Sequence, residues 1–321
     1  MDRVKKNQEL KELIKEKAYV ENPQNKPITD GPIDPNRFFT TSKPRTVFIS
    51  QEPYGDNGGW DMSESLNAKS SLKEQPKNGR PTFREEVKCA NRLNGQTNDP
   101  MSEVAYDIYK ETTAVINVKK EPNIRGSRSN PKDLKVHAAK NAALLQEQYS
   151  NLGLTDKDTT ILTGTKNFLI KDVDGKTQEI LGRKFNVETD KKSIIKGNYA
   201  YDLYDNGDGK GAIITTNHLS RVSRDNADNI HEIRKEQIKK EIPKTKYTPD
   251  NKPITNTDTS KLQKSQTSFA NSIINAGADI CKSSMDYIKN NPKTVATVAA
   301  IAVVVVTGGF YMWKRYKKKH L

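Results

Sequence analysis

Four short runs of apolar or β-branched residues punctuate the first two-thirds of the chain: "TVFIS" (46–50), "TAVINVKK" (113–120), "TTILTG" (159–164) and "AIITT" (212–216). Each is too short for a buried helix and is bounded by polar, Gly- or Asn-containing segments, which reads as a buried strand. Helical periodicity fills the gaps, in "TFREEVKCANRL" (82–93) and "MSEVAYDIYKE" (101–111). "PKDLKVHAAKNAALLQEQYSNLGL" (131–154) starts with Pro and carries Leu134, Ala138, Ala142, Leu145 and Tyr149 at helical spacing, predicting one long helix. "YAYDLYDNGDGKGAIITTN" (199–217) predicts a hairpin whose second arm is the fourth strand, and "DNADNIHEIRKEQIKKE" (225–241) a closing helix. Apolar strands separated by helices predict an α/β fold: three α/β/α layers around a central, mostly parallel four-stranded sheet.

The ends read differently. Residues 1–42 are a basic helix and a Pro/Asn-rich lead-in, ahead of an α/β domain over 43–241. Residues 242–266 are Lys, Thr, Pro, Asn and Asp with almost no apolar content, a disordered linker. An amphipathic juxtamembrane helix is predicted over 267–292. Residues 294–313, "TVATVAAIAVVVVTGGFYMW", carry no charge over 20 positions, which at 1.5 Å per residue spans about 30 Å of bilayer. Phe310, Tyr311 and Trp313 stand where an aromatic belt lies, and the basic tail 314–321 follows. The expectation is a single C-terminal transmembrane helix over 293–313. The N-terminal twenty residues have no apolar core of signal-peptide length, so the domain is expected in the cytosol.

Composition narrows the partners. A mean hydropathy of −0.86 is too polar for one packed globule of 321 residues. A net charge of +14 points to an anionic partner, nucleic acid or an anionic membrane surface. Cys89 and Cys281 are the only cysteines, far apart, which argues against a disulfide framework, excludes a four-cysteine metal site and fits a reducing compartment. "DLYDNGDGKGAI" lacks the carboxylate spacing and terminal acid of a calcium loop and reads as a Gly-rich turn. No metal or cofactor is expected, and the chain is expected to be a monomer.

Ligands of open α/β sheets bind at the carboxyl ends of the strands, so the residues just after each strand are the candidates. Gln51, Glu52, Pro53 and Tyr54 follow the first strand, Asn117 ends the second, and Asn217, His218, Leu219, Ser220, Arg221, Val222 and Ser223 follow the fourth. An acid, an amide and an imidazole are thus predicted to meet on one rim. His137 and His231 read as ordinary helix-surface histidines.

"ISQEPY" followed far downstream by "HLSRVS" resembles the two signature motifs of the uracil-DNA glycosylase superfamily, Gly-Gln-Asp-Pro-Tyr-His and His-Pro-Ser-Pro-Leu-Ser. "AVINVKK" is similar to the family strand bearing the uracil-reading Asn, and "TTILTGTKN" to the strand written Leu-Leu-Trp-Gly. The likeness runs over residues 45–235. It implies hydrolysis of the N-glycosidic bond of a flipped-out uracil or related base in single- or double-stranded DNA. By the same resemblance, Glu52 would position water and stabilise the cationic sugar, and His218 would donate a hydrogen bond to the departing base. Asn117 would read the pyrimidine edge, Tyr54 would exclude thymine, and Gln51 would add contacts. Trp60 or Met62 would stack on the base. Ser220, Arg221, Ser223 and Arg224 would grip phosphates, with Val222 at the wedge position.

Several positions depart from the family pattern. Glu52 stands in place of Asp, Ser50 and Gly55 in place of the first motif's Gly and His, and Leu219 and Arg221 in place of both prolines. An insertion is expected at about 167–211. The competing class is a catalytically divergent nucleic-acid-binding or membrane-tethered interaction protein on the same fold. Such a scaffold has no need of Glu52, Asn117 and His218 together.

Overall fold

The four β-branched runs lie side by side in the computed structural model, which describes residues 2–53, 58–75, 80–122, 130–219 and 225–241. All of these belong to one compact unit, Met1–Thr245. The chain begins α1 (Arg3–Lys17), β1 (Gly31–Pro32), α2 (Pro35–Thr40), β2 (Thr46–Ser50), α3 (Met62–Asn67), α4 (Arg80–Leu93), α5 (Glu103–Thr112) and β3 (Thr113–Asn117). It continues α6 (Pro131–Lys140), α7 (Ala142–Asn151), β4 (Thr159–Thr163), α8 (Lys166–Leu169), β5 (Ile170–Asp172), β6 (Thr177–Ile180) and β7 (Arg183–Asn186). Last come β8 (Lys191–Lys196), β9 (Tyr199–Tyr204), β10 (Ala212–Thr216) and α9 (Asn226–Glu241).

The central sheet is mixed and has seven strands, in the order β1-β3-β2-β4-β10-β9-β8. Its inner four, β3, β2, β4 and β10, are parallel and are the four runs read from the sequence. Three strands added by antiparallel pairing extend that set beyond the expected number: β1 beside β3, β9 beside β10, and β8 beside β9, which returns β8 to the direction of the inner four. The region expected as an insertion supplies β8, the first arm of the hairpin and a separate antiparallel sheet, β5-β6-β7.

Helices cover both faces. Phe48, Val115, Ile161 and Ile214 pack with Leu66, Val87, Tyr106, Tyr109 and Ile230 from α3, α4, α5 and α9. Val47, Ile49, Ile116 and Leu162 pack on the other side with Phe38, Ala138, Leu145 and Tyr149 from α2, α6 and α7. Because both faces are buried, these strands read as continuous apolar runs rather than alternating ones. Each fully buried Val, Ile or Phe contributes about 1.5–3 kcal/mol.

Residues 2–42 fold onto this domain. Asp2 caps α1 by accepting from the N–H groups of Val4 and Lys5. Leu10 and Ile14 are buried, Lys6 pairs with Glu147 on α7 at 2.9 Å, and Lys11 reaches Asp61 at 2.8 Å.

Two expectations are corrected. The helix predicted over 131–154 is two helices broken at Asn141, which is fully buried. Its side chain accepts from Tyr19 N–H at 2.8 Å and donates to the Val118 carbonyl at 3.4 Å. Those partners come from distant segments, so helical periodicity carries no trace of the break. His137 is likewise no surface histidine: it is fully buried on α6 against the Tyr19 ring, 4.8 Å between centroids. Burial, reinforced by the Lys119 charge, lowers its pKa.

Among the described residues no helix is long and apolar enough to cross a membrane. The candidate span 294–313, the linker 242–266 and the helix expected over 267–292 lie outside them.

Candidate active site

The parallel strands run second-first-third-fourth in chain order, so the connections leaving β2 and β4 go to opposite sides. Between the carboxyl ends of β2 and β4 lies the crevice where such sheets bind ligands.

A polar row closes the apolar face at that end. One step outward from Val115, Phe48, Ile161 and Ile214 stand Asn117, Ser50, Thr163 and Thr216. Ser50 is in register with Asn117 and Thr216 with Thr163, while the Ser50 and Thr163 hydroxyls lie 3.2 Å apart.

Beyond the row, three strand ends meet at one glycine. Gln51 Nε2 donates to the Gly164 carbonyl at 3.0 Å, bridging the crevice. Gly164 has φ +69°, and a methyl group there would lie 3.1 Å from Gln51 Nε2, 3.2 Å from His218 N and 3.3 Å from His218 Cβ. The turn after β4 packs so closely on the turns after β2 and β10 that a side chain there would press on both, and its positive φ also favours glycine. Glu52 is buried next to Gln51, and His218 is half-buried at the exit of β10.

Asn117 is fixed from behind by Asp30. The Asp30 carboxylate accepts from Asn117 N–H at 2.8 Å, Asn117 Nδ2 at 3.1 Å, Lys120 Nζ at 2.7 Å and Gln148 Nε2 at 3.0 Å. A carboxylate only accepts, so the amide must turn its nitrogen toward Asp30. Asn117 Nδ2 also lies 3.1 Å from Met62 Sδ, and none of these bonds uses Oδ1. Lys120 is wholly buried; burial pushes its ammonium pKa down, with the Asp30 charge opposing.

Of the two candidate stacking residues, Met62 is the one against Asn117. Trp60 is half-buried and lines a cavity of about 360 Å³ with Lys11, Lys15, Thr29, Asp61 and Glu64. Burial opposes ionisation of Asp61 there, but Lys11, Ser63 and the Glu64 N–H outweigh it and hold the carboxyl below its usual range. Tyr54, Ser220, Arg221, Val222, Ser223 and Arg224 lie outside the described residues.

Gly164 and Asp30 were not singled out from the sequence. Gly164 had a signal, as a glycine ending a buried strand. Asp30 had none: it lies 87 positions from Asn117 in a proline-rich lead-in.

Comparison with known proteins finds no matching family model, no matching curated sequence and no matching solved structure. The resemblance in the motifs stands on those residues alone.

Proposed function

We propose that this strand-end site is that of a DNA N-glycosylase, hydrolysing the bond between deoxyribose and a flipped-out uracil or related base. The observation that supports this most is the meeting at Gly164, where Gln51, next to Glu52, and His218 share one glycine. The turns that carry the carboxylate and the imidazole, from different strands, thus pack on one glycine beside the crevice.

When the glycosidic bond breaks, its electron pair leaves with the base and the sugar becomes cationic. Glu52 faces the sugar, stabilises that charge and accepts the proton of the water attacking C1′. His218 donates a hydrogen bond to the base oxygen where negative charge develops. Asn117 offers Oδ1, because Asp30 and Met62 engage its nitrogen. An acceptor at that position selects a base with a ring N–H. Uracil has one at N3, whereas cytosine has a lone pair there.

In this proposal Tyr54 walls off thymine, and Ser220, Arg221, Ser223 and Arg224 hold phosphates around Val222. Residues 294–313 tether a cytosolic, monomeric head to a bilayer. The test is incubation of the full-length chain with oligonucleotides carrying one uracil, read as alkali-labile abasic sites.

A further inference from the structure

A second cluster lies beyond Lys119, on the segment leaving β3. Glu121 is buried, and its two oxygens have different neighbours. Oε2 accepts from Glu21 N–H at 3.1 Å, Asn22 N–H at 3.4 Å and Asn25 Nδ2 at 3.3 Å. Oε1 faces Lys119 Nζ at 3.2 Å and His137 Nε2 at 3.3 Å. His137 is fully buried, yet neither of its ring nitrogens makes a hydrogen bond of good geometry. An exposed carboxylate, Glu21, completes the group: one ligand atom from each of Glu21, Glu121 and His137 lies within 4.8 Å of the others.

We propose that Glu21, Glu121 and His137 bind one divalent transition-metal ion of the zinc class, with water in the remaining position. A tetrahedral ion with bonds of about 2.0–2.1 Å sets its ligands roughly 3.3 Å apart, the spacing found between His137 Nε2 and Glu121 Oε1. A buried nitrogen whose nearest acceptor stands outside good hydrogen-bond geometry is unfavourable, and coordination would give Nε2 a direct bond. The three donors on Oε2 already hold the Glu121 carboxylate in place, as the outer partners of metal ligands do. One imidazole with two carboxylates suits zinc-like ions, whereas magnesium and calcium take all-oxygen sets. Two carboxylates face one lysine, so a dication enters a site of net negative charge, displacing Lys119 Nζ from Oε1. The ion would pin the lead-in at residue 21 to α6 and to the exit of β3. The Lys119 N–H bonds the Gln51 carbonyl at 2.9 Å, so this clamp would adjoin the turn carrying Glu52.

The test is titration of the full-length chain with zinc chloride against a chromophoric chelator, with magnesium and calcium chloride alongside. Wild type is expected to hold one more zinc equivalent than either Glu21→Ala or His137→Ala, each of which removes one of the three ligands. Zinc should raise the thermal midpoint of wild type and not that of Glu21→Ala, while magnesium and calcium do neither. Glu21 is exposed, so its variant decides the matter even if His137→Ala fails to fold. Equal zinc binding by wild type and Glu21→Ala, or none by wild type up to about 0.1 mM, would overturn the proposal.

Discussion

Asp30 accepts two hydrogen bonds from Asn117, one from its backbone N–H at 2.8 Å and one from its side-chain amide at 3.1 Å. The same carboxylate neutralises Lys120, which has no exposed surface. One acid from the lead-in therefore sets the amide's orientation and compensates a buried charge.

Removing that acid is expected to be costly. Asp30→Asn leaves the Lys120 ammonium buried without a counter-ion, and stability should fall by about 3–5 kcal/mol. Urea unfolding measures the loss. Adding Lys120→Met to the same chain should recover most of it, because the double variant removes both charges. No recovery would mean that the pair is not what makes Asp30 matter.

Gly164→Ala carries two penalties. The left-handed backbone costs about 1–2 kcal/mol for a residue with a Cβ. The new methyl also presses on Gln51 and His218, so base release should drop between about tenfold and 100-fold in protein that remains folded. Thermal unfolding beside single-turnover rates separates the two effects.

Stability should also depend on pH through Glu86. This carboxyl is buried beside Tyr109, whose hydroxyl donates to it at 2.6 Å. Burial pushes its pKa up from 4.5 to about 7, with the Tyr109 hydrogen bond opposing. Between those values the folded chain holds a proton that the unfolded chain has lost, so stability falls as pH rises from about 4.5 to about 7 and is level on either side. The full loss is about 3 kcal/mol. Glu86→Gln should abolish this component and be the more stable protein at pH 8, as unfolding at pH 4.5 and pH 8 would show.

The parallel core was legible because strands buried on both faces must be apolar throughout, and "TVFIS", "TAVIN", "TTILT" and "AIITT" have no other use. β1 was not, because two residues carry no periodicity. Nor were β5, β6 and β7: "IKD", "TQEI" and "RKFN" form a small, half-exposed sheet with little apolar signal. The placement of Glu52, Asn117 and His218 at strand ends followed from the strands themselves. What holds them in place did not. Asp30 behind Asn117, Gly164 between Gln51 and His218, and Asn141 breaking a helix are all long-range contacts of single polar or small residues. The burial of His137 belongs to the same class, since Tyr19 and Glu121 reach it from distant segments.

The most direct test of the central claim is base release by the full-length chain from otherwise identical oligonucleotides, single- and double-stranded, carrying uracil, cytosine or thymine at one position. Wild type would run beside Glu52→Gln and His218→Ala. The account predicts alkali-labile cleavage at uracil alone, reduced on the order of 100-fold or more in each variant. DNA binding without cleavage by wild type, or cleavage that both variants retain, would contradict it.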